Sequence, residues 1–84
     1  MTYIATFYSH FGAIRYKKAL TALGASARTM PVPRNLSSSC GTCVRYEAEK
    51  FCPMPEGPDS FEELEKIVRV SGEDYELLYA SEEF

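Results

Sequence analysis

The residues of this 84-residue chain that could do covalent chemistry fall mostly in one short stretch. Cys40 and Cys43 form a C-x-x-C, Cys52 follows, and the one histidine, His10, lies far upstream. Three cysteines cannot all pair within one chain. No basic segment followed by an apolar one opens the sequence, as a secretory signal would. The expectation is a reducing, cytoplasmic setting, where cysteines serve sulfur, redox or metal chemistry rather than stapling. For Cys52 the plain alternative is a small buried apolar residue, a role that free cysteine often takes.

A C-x-x-C admits three chemistries. A dithiol redox pair needs a helix after its first cysteine, and the residues after Cys40 read as a strand. A zinc site needs four ligands, for which only Cys52 and His10 remain. The third reading is a lone working thiol at Cys40, with Cys43 incidental or resolving. The thiolate is the reactive form, and positive charge or a helix N-terminus favours it. Arg34 shares a loop with Cys40, and Arg28 and Arg45 stand on the flanking strands. Gly41 lets backbone N–H groups approach a sulfur anion. Ser37, Ser38 and Ser39 offer hydroxyls, and His10 could bond the thiol or exchange a proton with it. The bland readings are loop-filling serines, a helix-start histidine and solvated charges.

The charge pattern favours the reactive reading. The formal net charge of -3 hides a split. Arg15, Lys17, Lys18, Arg28, Arg34 and Arg45 precede residue 47, and all 12 acids lie at or beyond it. No acid of the first half therefore opposes an anion on Cys40. A sequence pI near 5.1 argues against a nucleic-acid partner. No apolar run approaches the roughly 18 residues of a membrane span.

The elements that must position these residues follow from periodicity. Residues 2–8 alternate β-branched and aromatic side chains and predict a strand. A helix starts at Ser9 or His10, carried by Ala13, Tyr16, Ala19, Leu20 and Leu23, with Gly24 just beyond its end. Residues 25–30 are a weaker strand. Two prolines and the serine run make residues 31–41 a shaped loop. Residues 42–47 predict a strand with Val44 and Tyr46 on one face, Cys43 and Arg45 on the other. After a proline-rich connector, 52–58, Ser60 and Glu63 read as a capping box. Phe61, Leu64, Ile67 and Val68 form the apolar stripe of a second helix, with Glu62, Glu63 and Glu65 at the positive end of its dipole. Ser71 and Gly72 end it. Residues 74–80 are a last strand and 81–84 a loose tail.

The expected order is β-α-β-β-α-β over a single domain, residues 1–84. That is an α+β, ferredoxin-like arrangement: a four-stranded antiparallel sheet with two helices on one face. It places Cys40 near the N-terminus of the first helix. It also places the 71–73 turn at that end and leaves one sheet face open. Tyr3, Phe7, Tyr75, Leu77 and Tyr79 could make an apolar patch there, suited to a homodimer.

Met30-Pro31-Val32-Pro33-Arg34-Asn35-Leu36-Ser37-Ser38-Ser39-Cys40-Gly41 resembles the signature of the putative Se/S carrier protein-like family, small domains of otherwise unknown function. The family pattern is a strand, a Ser/Thr helix start, a P-x-P-R, a small polar run and Cys-Gly. The resemblance runs from Tyr3 to Tyr79. It implies that Cys40 carries sulfur or selenium, with Pro31, Pro33, Arg34 and Gly41 on motif positions. Cys43 and Cys52 match no required position.

The leading expectation is a carrier or accessory protein rather than a stand-alone enzyme. It would hold a persulfide or selenide adduct on Cys40, with no other cofactor. Arg34, Ser39, Gly41 and His10 would attend the anion, and Cys43 could release the cargo. Its partners would be donor and acceptor proteins, with neither nucleic acid nor membrane involved. The alternatives are a metal-binding module using Cys40, Cys43, Cys52 and His10, or an interaction domain.

Overall fold

The β-branched and aromatic run at the start of the chain becomes the central strand, β1 (Thr2–Phe7), buried on both faces from Tyr3 onward. The computed structural model describes residues 1–36, 38–54, 56–57 and 61–81. After β1 come α1 (His10–Ala22), β2 (Ser26–Pro31), β3 (Thr42–Glu47), β4 (Leu64–Ser71) and β5 (Asp74–Ala80). The five strands make one sheet in the order β2-β3-β1-β4-β5, and every neighbouring pair is antiparallel.

Helix α1 forms where periodicity placed it. Ser9 is its N-cap, and Gly24, at φ +86°, takes the left-handed turn that ends it. Gly12, Ala13, Tyr16 and Leu20 are its buried residues. Ala13, Tyr16 and Leu20 pack over Tyr3, Ala5 and Phe7 of β1 and Val44 and Tyr46 of β3. The Tyr16 ring stands 5.3 Å from Phe7, 5.8 Å from Tyr46 and 5.1 Å from Phe61 between centroids. Tilted and edge-on ring pairs of this kind stabilise a core beyond their buried area.

The expected four-stranded sheet with two helices is not what forms. The sheet has five strands, and the segment read as a second helix is strand β4. Leu64, Ile67 and Val68 do recur at helical spacing. They also fit a strand buried on both faces, since Leu64 and Ile67 join the helix-side core while Val68 joins the other. A bulge reconciles the register: Thr6 pairs with Lys66 and Phe7 with Leu64, leaving Glu65 as the extra residue. β-Branched Ile67, Val68 and Val70 favour the strand on intrinsic grounds. The place of a second helix is filled by the connector, whose Phe51, Cys52, Met54 and Phe61 pack into the helix-side core. The expected cap at Ser60 lies outside the described residues.

Two further expectations change with the topology. β4 runs opposite to β1, so the 71–73 turn lies at the far end of the sheet from the 32–41 loop. The helix-free face is not open across its centre either. The loop folds back over it and sets Leu36, 7% exposed, against Ile4, Cys43 and Val68. Tyr3 and Phe7 belong to the helix side and are buried, so they contribute to no open patch. Leu77 does remain exposed on β5. Nor is Ser81 loose: its N–H donates to Glu65 O at 2.8 Å. Residues 82–84 of the expected tail lie outside the described residues. Among the described residues no helix is long and apolar enough to cross a membrane.

Candidate functional site

The 32–41 loop leaves β2 at its prolines, which cannot continue the ladder as donors. It is pinched shut at its base, where Val32 N–H donates to Gly41 O at 3.0 Å. A turn inside it is closed by Leu36 N–H to Pro33 O, also 3.0 Å. Gly41 adopts φ +75°, and nothing lies within 4 Å of where its Cβ would be. The requirement for glycine there is conformational, not spatial.

Cys40 sits just before this glycine, half-buried, against the edge of the helix-side core. Its thiol donates to Thr42 O across 3.3 Å. The Thr42 hydroxyl lies 3.1 Å from Nδ1 of exposed His10, in the first turn of α1. Thr42, at the start of β3, thus touches both residues, Cys40 through its carbonyl and His10 through its hydroxyl. Arg34 is exposed in the loop. The ion pairs among the described residues join the N-terminus to Glu47 and Arg69 to Glu76, so Arg34 enters neither. Arg28 and Arg45 stand opposite each other on β2 and β3, further down the sheet than the Met30–Cys43 pair beside the loop.

The other two cysteines have different surroundings. Cys43 is fully buried on the loop side of the sheet, its Sγ 3.8 Å from Pro31 O. Burial, with a smaller contribution from Cys40 beside it, pushes the Cys43 thiol up to about 11. Cys52 is half-buried on the helix side, beside Tyr16 and Tyr46. Cys43 and Cys52 therefore lie on opposite faces of the sheet, which parts two of the ligands considered from the sequence. Among the described residues no three His, Cys, Asp or Glu side chains are grouped as a metal site.

Two acids that the sequence leaves remote fold onto this end. Glu63, just before β4, accepts from the Ser9 hydroxyl at 2.5 Å while Ser9 Oγ accepts from Gly12 N–H at 3.1 Å. α1 has no acid in its own first turn, so Glu63 supplies that charge from across the chain. Glu65, the bulge residue, turns its carboxylate into the loop. Oε1 accepts from Ser39 N–H at 3.1 Å and from the Ser38 hydroxyl at 3.2 Å, and Oε2 accepts from the Ser39 hydroxyl at 3.2 Å. Thr6 Oγ1 is 3.4 Å from Oε1. The Ser38 hydroxyl oxygen in turn lies 3.5 Å from the Cys40 N–H. Sequence reasoning placed Glu65 at a helix start and missed this role. The signal that could have found it is weak: an acid in a β-branched run, opposite a loop full of donors.

The family model described as "Putative Se/S carrier protein-like" matches residues 2–52. That span holds β1 through β3 and the whole loop, and is shorter than the 3–79 range expected from the motif. Among curated proteins the chain is similar to "Uncharacterized protein YtiA" of Escherichia coli (strain K12), 38% identical over 42 residues, which is 50% of this chain and 49% of that protein. The chain thus spans about half the length of the relative it matches. No solved structure matches.

Proposed function

The chain belongs to the putative Se/S carrier protein-like family, and from that premise we propose that it carries sulfur or selenium as a covalent adduct on Cys40. The observation that carries this reading is the contrast among the three thiols. Cys40 is half-buried in a loop fixed at its base, and its thiol donates to Thr42, whose hydroxyl meets His10 of α1. Cys43 is sealed within the sheet, and Cys52 is tucked beside the tyrosines. Of the two half-buried thiols, Cys40 is the one that stands in the motif loop, whereas Cys52 stands in the connector.

The exchange balances without an external oxidant. The Cys40 thiolate attacks the outer sulfur of a donor persulfide, forming a new S–S bond. The donor's own S–S bond breaks and the donor leaves as a thiolate. An acceptor nucleophile then attacks the outer sulfur on Cys40, and Cys40 returns to a thiolate. A selenium cargo follows the same two displacements.

Arg34 and the positive end of α1 supply charge to the adduct anion, and His10 steadies the loop through Thr42. Gly41 supplies the backbone turn. Ser39 serves less directly than the sequence implied, because its N–H and hydroxyl are committed to Glu65. Cys43 makes a poor resolving thiol near neutral pH, since its raised pKa leaves little thiolate. Direct transfer to an acceptor protein is therefore the favoured release. The test is mass spectrometry after incubation with cysteine persulfide. The expected result is the gain of one sulfur atom, mapped to Cys40 and absent from Cys40→Ser. A gain confined to Cys43 or Cys52, or none at all, overturns the reading.

A further inference from the structure

We propose that Glu65 is the positioning residue of the Cys40 loop. One carboxylate accepts from the Ser38 hydroxyl, the Ser39 N–H and the Ser39 hydroxyl, with Thr6 beside it. These donors occupy the two residues that precede Cys40. The chain of contacts continues to the cysteine itself, from Glu65 Oε1 through Ser38 Oγ to the Cys40 N–H.

The fold is arranged to deliver this carboxylate. Glu65 is the unpaired residue of the β1–β4 register, and a bulge re-aims a side chain that regular pairing would direct elsewhere. Its backbone is pinned separately, since Glu65 O accepts from Ser81 N–H. Hydrogen bonds to an ionised acceptor are about twice as strong as neutral ones. A loop without regular structure thus gains a fixed anchor two residues from its thiol. Glu65 also lies outside the residues that the family model matches, which end at 52. The anchor comes from the part of the chain that the family match leaves undescribed.

The consequence for sulfur transfer rests on the carrier reading, whereas the anchoring does not. Glu65→Ala and Glu65→Gln, made in the full chain, are measured three ways. Amide hydrogen exchange follows the Ser39 N–H against Ala5 in β1, thermal unfolding follows stability, and mass spectrometry follows uptake from cysteine persulfide. In Glu65→Ala the Ser39 amide exchanges at least about tenfold faster, with Ala5 unchanged, because a charged acceptor has been lost. Glu65→Gln, which keeps a carbonyl acceptor, lies between it and the parent. Sulfur uptake at Cys40 falls in the same order.

An unchanged Ser39 exchange in Glu65→Ala overturns the proposal. So does a rise that Ala5 shares in full, which would make Glu65 a general stabiliser rather than a loop anchor. If the unaltered chain takes up no sulfur, the carrier reading fails by itself, and the exchange of Ser39 still decides the role of Glu65.

Discussion

The two faces of the sheet are covered by different means. On one, α1 and the connector close over Tyr3, Phe7 and Tyr46, with Tyr16 at the centre of the rings. On the other, a loop with no regular structure lays Leu36 on Ile4, Cys43 and Val68. The helix side is a core with a site at its edge. On the loop side the segment that presents Cys40 is itself the cover of a small core. Changes on the first face should cost stability and leave the thiol's behaviour intact, while changes on the second should move both together.

The largest effect belongs to the helix side. Tyr16 is fully buried and meets three other rings, so Tyr16→Ala should destabilise by about 4 kcal/mol, as large aromatic truncations do. Urea unfolding measures it, with Cys40 alkylation rates compared under conditions where both proteins are folded. Equal rates per folded molecule keep the two faces separate, and a loss below about 1 kcal/mol would deny the ring cluster its central place.

Leu36→Ala tests the other face. The cost should be smaller, about 2 to 3 kcal/mol, because Leu36 sits at the edge of a small cluster. Here Cys40 alkylation should change as well, since the loop loses the side chain that holds it to the sheet. Destabilisation without any change at Cys40 would mean that the hydrogen bonds to Glu65 fix the loop unaided.

The same contrast explains what could be read in advance. β1, α1, β3 and β5 came from local pattern, and so did the loop, whose prolines and serines exclude regular structure by their own chemistry. That the loop and the start of α1 share one end of the sheet followed from element order, and His10 and Cys40 both touch Thr42 there. β4 was misread because Leu64, Ile67 and Val68 satisfy helical spacing, and two-faced burial shows no strict alternation. That error hid the rest. With the segment from Ser60 to Ser71 taken as a helix, Glu63 and Glu65 looked like charges on its first turns. The loop around Cys40 accordingly looked free of acids, although two reach that end. Long-range contacts of single carboxylates leave almost no trace in local pattern.

Gly12→Ala probes the joint that carries Glu63 onto α1. A Cβ at Gly12 would fall 2.6 Å from Glu63 Cβ, so backbone or side chain must give. Overpacking of this kind costs roughly 1 to 3 kcal/mol, and the better helix propensity of alanine offsets about 1 of that. A net loss of up to about 2 kcal/mol is expected, read as a lowered Tm. A gain in Tm would show that Glu63 is displaced at no cost and that α1 keeps its start without that charge.

The smallest effect distinguishes the faces by pH. Cys43 lies on the loop side, where burial holds its thiol protonated up to about 11, against 9.0 for an unburied thiol. Tyr16 and Tyr46 lie on the helix side, and burial pushes both phenols up from 10.0. A group whose folded-state pKa is raised stabilises fully below its unfolded pKa, and that contribution is lost as pH rises toward the folded value. Between pH 9 and 10 the unfolded chain therefore sheds the Cys43 proton while the folded chain keeps it, and stability falls by about 1 kcal/mol. Above pH 10 the tyrosines add their own loss, in the same direction. Cys43→Ala should flatten the unfolding free energy between pH 9 and 10 and leave the steeper fall above 10 in place. If the substitution leaves the pH 9 to 10 slope unchanged, Cys43 is not sealed beneath the loop, and the loop face is more open than Leu36 makes it.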